Sequence, residues 1–160
     1  MSRTCDTAAP LVALTGLELR VDERLRETYA GGWQGQLSSE IEASDPKTLA
    51  AWRAGVDVRP GGGETRSEIA DRAELAVQAA LADVPESGVL VVVTHGGTAR
   101  TLIGRYLGLP VERWHVVGGL ANCSWSVLEQ TRAGSGQPAF WRLVEHNAGT
   151  LPEPVMGDGE

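Results

Sequence analysis

The sequence has little lysine, little cysteine and no long apolar run, and each shortage excludes something. Lys47 is the one lysine among 14 basic residues, so nearly every positive charge is an arginine. A planar guanidinium fork suits the recognition of oxyanions better than a point charge does. Acidic residues number 21, for a net charge of -7. So acidic a chain is no unspecific binder of nucleic acid, although a local basic pocket stays open. The longest apolar run, Val89 to Val93, falls far short of the roughly 18–20 residues of a membrane span. No basic-then-apolar leader follows Met1, so the expectation is a cytoplasmic chain without membrane contact. Cys5 and Cys123 offer neither metal spacing nor a disulfide framework and read as free thiols of a reducing compartment. No cluster of Asp, Glu and His suggests a metal, and nothing calls for a cofactor.

What is present fits one domain. The 160 residues, 42% of them hydrophobic, can bury a sizeable core. That domain is expected over residues 1–150, with a loose acidic tail over 151–160. Residues 2–15 read as a helix with Ser2 or Thr4 as cap and Gly16 as terminator, flawed by Pro10. Pro10 should either kink that helix or sit in its first turn. Leu17, Leu19 and Val21 alternate with polar residues as in a short strand. The glycine-rich stretch from Leu25 to Gly35 reads as loop.

Asp45-Pro46 opens a helix that Gly55 closes. Thr65 and Glu68 make a capping box for the next, whose Ile69, Ala73, Ala76, Val77 and Ala80 share a face. Between these helices, Pro60 to Gly63 is a turn. Val89 to Val93, unbroken and β-branched, predicts a central strand buried on both faces. It runs through His95-Gly96-Gly97 into a helix that ends near Leu107. Residues 123–128 and 139–145 predict two more strands, joined by a turn around Gly134 and Gly136.

Helices flanking a buried parallel strand predict a three-layer α/β sandwich. Ligands of such folds bind at the carboxyl ends of central strands, where helix amino termini also point. His95 stands at that place, and Gly96 and Gly97 let a ligand approach the backbone closely. The five tryptophans, Trp33 and Trp52 among them, share no spacing. They read as core or rim, with those two as candidates for a pocket mouth. Arg66 and Arg72 read as surface helix residues that form ion pairs.

The segment VVVTHGGTARTLIGRYLG resembles the second-histidine motif of the histidine phosphatase superfamily, the phosphoglycerate-mutase-like proteins. Three further segments resemble that family in its own order. Leu25-Arg26-Glu27 with Gly32-Trp33-Gln34-Gly35 is similar to its L-x-E…G-x-W-x-G loop. PGGGETRSEIADR, from Pro60 to Arg72, is similar to its G-G-E-S/T segment. Residues 2–8 are similar to the start of its arginine helix.

The resemblance implies a mostly parallel central sheet and hydrolysis of a small phosphorylated substrate through a phosphohistidine. It implies that Glu27 is the proton donor and that Arg3 clamps phosphate. His95, assisted by the Gly96 amide, would stabilise the transferring phosphoryl group, and Trp33 would line the substrate site.

One part of the family pattern is missing. The nucleophile of the family is the histidine of an R-H-G motif on its first strand, and this chain has no R-H-G among its histidines His95, His115 and His146. Two explanations stand open. The chain is part of a longer polypeptide, which the otherwise intact site favours. Otherwise it is a degenerate member that binds a phosphorylated ligand or a protein partner without turnover. Without the first strand, the sheet has an open edge, and either poor solubility or a homodimer through that edge is expected.

The insertion from Gln36 to Gly63 is short with a single lysine, which favours the phosphatase branch over a phosphoglycerate mutase. Within that branch, Gly118 to Trp125 and the W-R-L-x-x-x-N ending at Asn147 are similar to actinobacterial glucosyl-3-phosphoglycerate phosphatases.

Overall fold

A computed structural model describes residues 2–131 and 138–149. Its elements in chain order are helix α1 (Ser2–Thr15), α2 (Ser38–Ser44), α3 (Pro46–Arg53), α4 (Arg66–Leu81) and α5 (Gly96–Tyr106). Strands β1 (Trp125–Gln130) and β2 (Trp141–Ala148) follow. Short 3-10 turns occupy Glu23–Leu25, Gly31–Trp33, Pro60–Gly62 and Val111–Val116. The tail 151–160 and the turn around Gly134 and Gly136 lie outside the described residues.

Most helix boundaries obey the expected local chemistry. Gly16, at φ 69, ends α1 by donating to the Val12 carbonyl at 2.9 Å. α1 continues past Pro10 to Thr15, and Thr4 lies inside it, so that residue is no cap. Asp45 accepts from the Thr48 N–H at 3.3 Å, with Pro46 opening α3. Around Thr65 the capping box is complete: Glu68 N–H donates to the Thr65 hydroxyl at 3.2 Å, and Thr65 N–H to the Glu68 carboxylate at 3.0 Å. α2 is an addition to the expected elements. Its entry is held by the Glu40 carboxylate, which accepts from the Leu37 N–H at 2.7 Å.

The core lies between α4 and α5. Ala73, Val77 and Leu102 are buried together, with Leu25, Leu81, Leu90, Val92 and Tyr106 packed around them. Trp114, 3% exposed, presses its ring on Gly104 of α5, where a Cβ would fall 2.4 Å from the indole. The Tyr106 and Trp141 rings, 4.9 Å apart, tie β2 to the same helix.

The sheet departs from expectation. Among the described residues only β1 and β2 pair, antiparallel, with Leu128 opposite Leu143. Neither Leu17–Val21 nor Val89–Val93 has a ladder partner there, so the expected parallel sheet is not formed. Val89–Val93 is also not buried on both faces. Leu90 and Val92 pack on the core, whereas Val89 and Val91 are 86% and 55% exposed. A strand buried on both sides needs a neighbour along each edge and a layer over each face. Here Leu90 and Val92 reach the core of α4 and α5, and an open groove of about 580 Å³ runs along the whole segment, lined also by α1, residues 17–22 and the end of α4. Leu17, Leu19 and Val21 are exposed for the same reason.

Candidate functional site

His95 occupies the position before the first turn of α5, and its carbonyl accepts the Ala99 N–H at 2.8 Å. The amides of Gly96 and Gly97 therefore start the helix beside the imidazole, where free N–H groups favour an anion. Glu27 comes to the same spot from a distant loop. A Cβ on Gly97 would fall 2.7 Å from the Glu27 carboxylate and 2.6 Å from the Thr28 hydroxyl. Glycine at 97 is thus what admits Glu27 to the start of α5. The carboxylate is also oriented locally, accepting the Thr28 N–H at 2.8 Å.

Three side chains hold the loop that carries Glu27. The Thr94 hydroxyl donates to the Leu25 carbonyl and the Thr98 hydroxyl to the Arg26 carbonyl, both at 2.7 Å. Arg72 binds from below, donating to the carbonyls of Arg24 at 2.6 Å, Arg26 at 3.0 Å and Glu27 at 3.3 Å. Its guanidinium is itself gripped by both oxygens of Glu64, at 2.8 and 3.0 Å. Glu64 accepts further from Arg26 at 2.5 Å and from the Tyr29 N–H at 3.0 Å. Burial pushes the Glu64 carboxyl up, but Arg72, the Tyr29 amide and Arg26 together hold it below its ordinary value.

The glycines of the Pro60–Gly63 turn have a matching purpose. A Cβ on Gly63 would fall 2.0 Å from the Tyr29 carbonyl and one on Gly31 2.1 Å from the Gly61 carbonyl. The two loops meet backbone to backbone, which brings Glu64 within reach of the Glu27 loop.

Arg66 and Arg72 are therefore not surface residues. Arg66 is 8% exposed, and the Arg72 side chain 12%. Each lies on the inner side of α4, where backbone carbonyls that the loops leave unpaired supply acceptors. Sequence periodicity marks only apolar residues as inward-facing, so both escaped it.

His95 titrates below its ordinary value, chiefly because it is partly buried. Arg3 acts in the same direction and Glu27 opposes it. The charges of Arg3 and Glu27 are thus both felt at the imidazole, although Arg3, on the exposed side of α1, bonds neither residue. Trp33 stands in the Gly31–Trp33 turn, half-buried, and does not line the cavity beside Gly97; Trp52 does. The other histidines are engaged elsewhere. His146 contacts the Ser126 hydroxyl at 3.0 Å and the Gly118 carbonyl at 3.2 Å, while the His115 ring lies against Gly55. Asn147 accepts the Ala121 N–H at 2.7 Å and so pins the Gly118–Asn122 loop to β2. Among the described residues no group of acidic, His or Cys side chains is placed to hold a metal ion.

The sequence matches the family model of the histidine phosphatase superfamily (branch 1) over residues 1–144. It is 40% identical to the glucosyl-3-phosphoglycerate phosphatase of Mycolicibacterium vanbaalenii, across 92% of this chain and 71% of that protein. The Mycobacterium tuberculosis enzyme of the same name is also 40% identical, across 92% and 70%. Superposition on the structure of a mycobacterial glucosyl-3-phosphoglycerate phosphatase with inorganic phosphate gives a TM-score of 0.82 at 39% identity, covering 92% of this chain and 73% of that one.

Proposed function

The chain belongs to the histidine phosphatase superfamily (branch 1), and on that premise we propose that its site handles the phosphate ester of a small sugar or glycerate, such as glucosyl-3-phosphoglycerate. One observation carries the reading: the Glu27 carboxylate lies against Gly97, at the start of the helix that His95 precedes. Proton donor and oxyanion donors thus face one point, as a phosphoryl transfer requires.

In this reading a histidine nucleophile displaces the alkoxide from phosphorus, and Glu27 gives that oxygen its proton. Water then attacks the phosphohistidine, the P–N bond breaks, and Glu27 takes the water proton. His95, held neutral by its lowered pKa, donates one N–H to a phosphoryl oxygen. The Gly96 amide donates to another, and Arg3 supplies a planar fork of positive charge. Support for Arg3 is electrostatic, through its influence on His95. Trp33 would stand at the rim.

A second reading rests on one fact: no R-H-G occurs in the 160 residues. The same groups would then bind a phosphorylated ligand without turnover. Inorganic phosphate titrated into the chain, followed at the His95 ring by NMR, tests what both readings share. A saturable shift at His95 is expected, and its absence would remove phosphate recognition from this site. Hydrolysis of para-nitrophenyl phosphate by the 160-residue chain is expected to be negligible. Loss of a covalent nucleophile can cost on the order of a millionfold in turnover. Measured turnover at ordinary enzyme rates would mean that another residue serves as nucleophile.

The family reading also favours a three-layer sandwich with a mostly parallel sheet once Val89–Val93 has a neighbour, with 1–150 as one domain. It favours a cytoplasmic protein, and a homodimer through the open groove. Among the described residues no helix is long and apolar enough to cross a membrane.

A further inference from the structure

Two segments of backbone meet the start of α5. Gly97 faces the Glu27 carboxylate, and its neighbour Gly96 faces the Leu120 carbonyl, 3.9 Å from where a Cβ on Gly96 would stand. That carbonyl is an acceptor beside donors that need one. Yet among the described residues it accepts from neither the Gly96 nor the Gly97 amide.

Two neighbouring residues of β2 hold the loop that carries Leu120. Nε2 of His146 contacts the Gly118 carbonyl at 3.2 Å, and the Asn147 side-chain oxygen accepts the Ala121 N–H at 2.7 Å. Leu120 lies between these anchors. Successive side chains of a regular strand point to opposite faces, so neighbours could not both reach one loop. They do so because β2 is irregular here. Trp125 pairs with Ala148 and Val127 with Glu145, which sets His146 and Asn147 together against Ser126. A bulge of this kind re-aims side chains.

Ser126 secures the bulge. Its hydroxyl contacts Nδ1 of His146 at 3.0 Å and accepts the Asn147 N–H at 3.4 Å. The Gly118 carbonyl can only accept, so Nε2 carries a proton, and in the neutral ring Nδ1 accepts from the Ser126 hydroxyl. Asn147 stands at φ 53 and Cys123, just past the loop, at φ 57. They are the two non-glycine residues in the left-handed region among the described residues. Such a backbone persists only where its surroundings impose it.

We propose that His146 and Asn147 are positioning residues for the phosphate end of the site. They hold the Leu120 carbonyl short of the free amides of α5, so that an anion takes those amides and not the protein's own backbone. This rests on the reading of the α5 start as the phosphate site. A helix start binds an anion only while its N–H groups lack a nearer acceptor. A loop fixed in advance also spares the ligand the cost of ordering it. The Glu27 loop is fastened separately, by Thr94, Thr98 and Arg72, so releasing the Leu120 loop leaves the acid in place.

The test titrates inorganic phosphate into the 160-residue chain and three variants, with calorimetry for affinity and NMR at the His95 ring and the Ala121 amide. Asn147→Gly keeps a backbone at ease at φ 53 but removes the side-chain acceptor. It should melt within a few degrees of the unaltered chain, lose hydrogen-exchange protection at Ala121 and bind phosphate about tenfold more weakly, the worth of one hydrogen bond. Asn147→Asp retains an acceptor oxygen and should restore most of that affinity. Ser126→Ala touches neither the loop nor α5, and should weaken binding by freeing His146; should Asn147→Gly not fold, it carries the same comparison. In the unaltered chain, saturating phosphate should in turn slow exchange at Ala121, because coupling between loop and ligand is reciprocal. Unchanged phosphate affinity in Asn147→Gly, with Ala121 exposed, would overturn the positioning role and leave the phosphate site standing. Affinity that simply follows melting temperature across the variants would mean general loosening, and would overturn it too. No shift at His95 in the unaltered chain would sink the phosphate reading itself, and the positioning role with it.

Discussion

The hydroxyl of Thr98, wholly buried in the first turn of α5, donates to the carbonyl of Arg26 at 2.7 Å. The residue before Glu27 is thereby fastened to the helix that starts beside His95. Acid and imidazole come from segments almost seventy positions apart in the sequence, and Thr98 together with Thr94 ties them. Arg72 completes the attachment from the opposite side, through three carbonyls of the same loop.

Arg72→Ala should destabilise the fold by about 3–5 kcal/mol, since it strands the largely buried Glu64 carboxylate without its main partner. Urea unfolding measures this. The double variant Arg72→Ala with Glu64→Gln should recover part of the loss, because the unpaired charge goes with it. A loss below about 1 kcal/mol, the range of an exposed ion pair, would mean that the loop is held mainly by Thr94 and Thr98.

His95 makes stability depend on pH. Its folded pKa lies below the ordinary value, so at pH values between the two the unfolded chain binds more protons. Stability from this group is therefore complete above its unfolded pKa, near 6.5, and is lost as pH falls through the folded value. His95→Gln should flatten the melting temperature against pH in that window. Glu27→Gln should lower the His95 pKa further, and Arg3→Gln should raise it, since their charges act on it in opposite directions. An NMR titration that finds His95 indifferent to both would separate these residues electrostatically.

The role of Glu27 is best read from leaving groups. In a chain extended by an R-H-G segment ahead of Ser2, Glu27→Gln should slow hydrolysis of a sugar or glycerate phosphate far more than that of an aryl phosphate. A phenolate needs little protonation to depart, and an alkoxide needs much. Equal losses on both substrates would remove Glu27 as general acid. His95→Ala in the same chain should cost about 2.7–4 kcal/mol of transition-state stabilisation, the range for one oxyanion donor.

The open groove predicts association. Val89, Leu17 and Val21 are 86%, 62% and 61% exposed, and unpaired apolar segments of this kind draw together. Sedimentation should show dimers that dissociate on dilution, and Val89→Lys with Val91→Lys should favour the monomer. A monomer at all concentrations with unchanged groove residues would count against this.

Capping and turn chemistry could be read residue by residue, because those bonds span three or four positions. Asp45-Pro46, Thr65 with Glu68, and Gly16 all act where the sequence places them. The approach of Glu27 to the turn that follows His95 was also legible, through a resemblance whose spacings survive in this chain. α2 was not, since a single Glu40 bonded to the Leu37 amide is a faint signal for so short a helix. Arg66 and Arg72 misled because a charge at a helix position normally means solvent. Only the tertiary structure brings unpaired carbonyls of distant loops against them and makes burial affordable. The run Val89–Val93 shows the same limit from the other side. Its alternation of faces is local, but whether both faces are covered depends on which neighbours a strand finds, and no sequence window contains that.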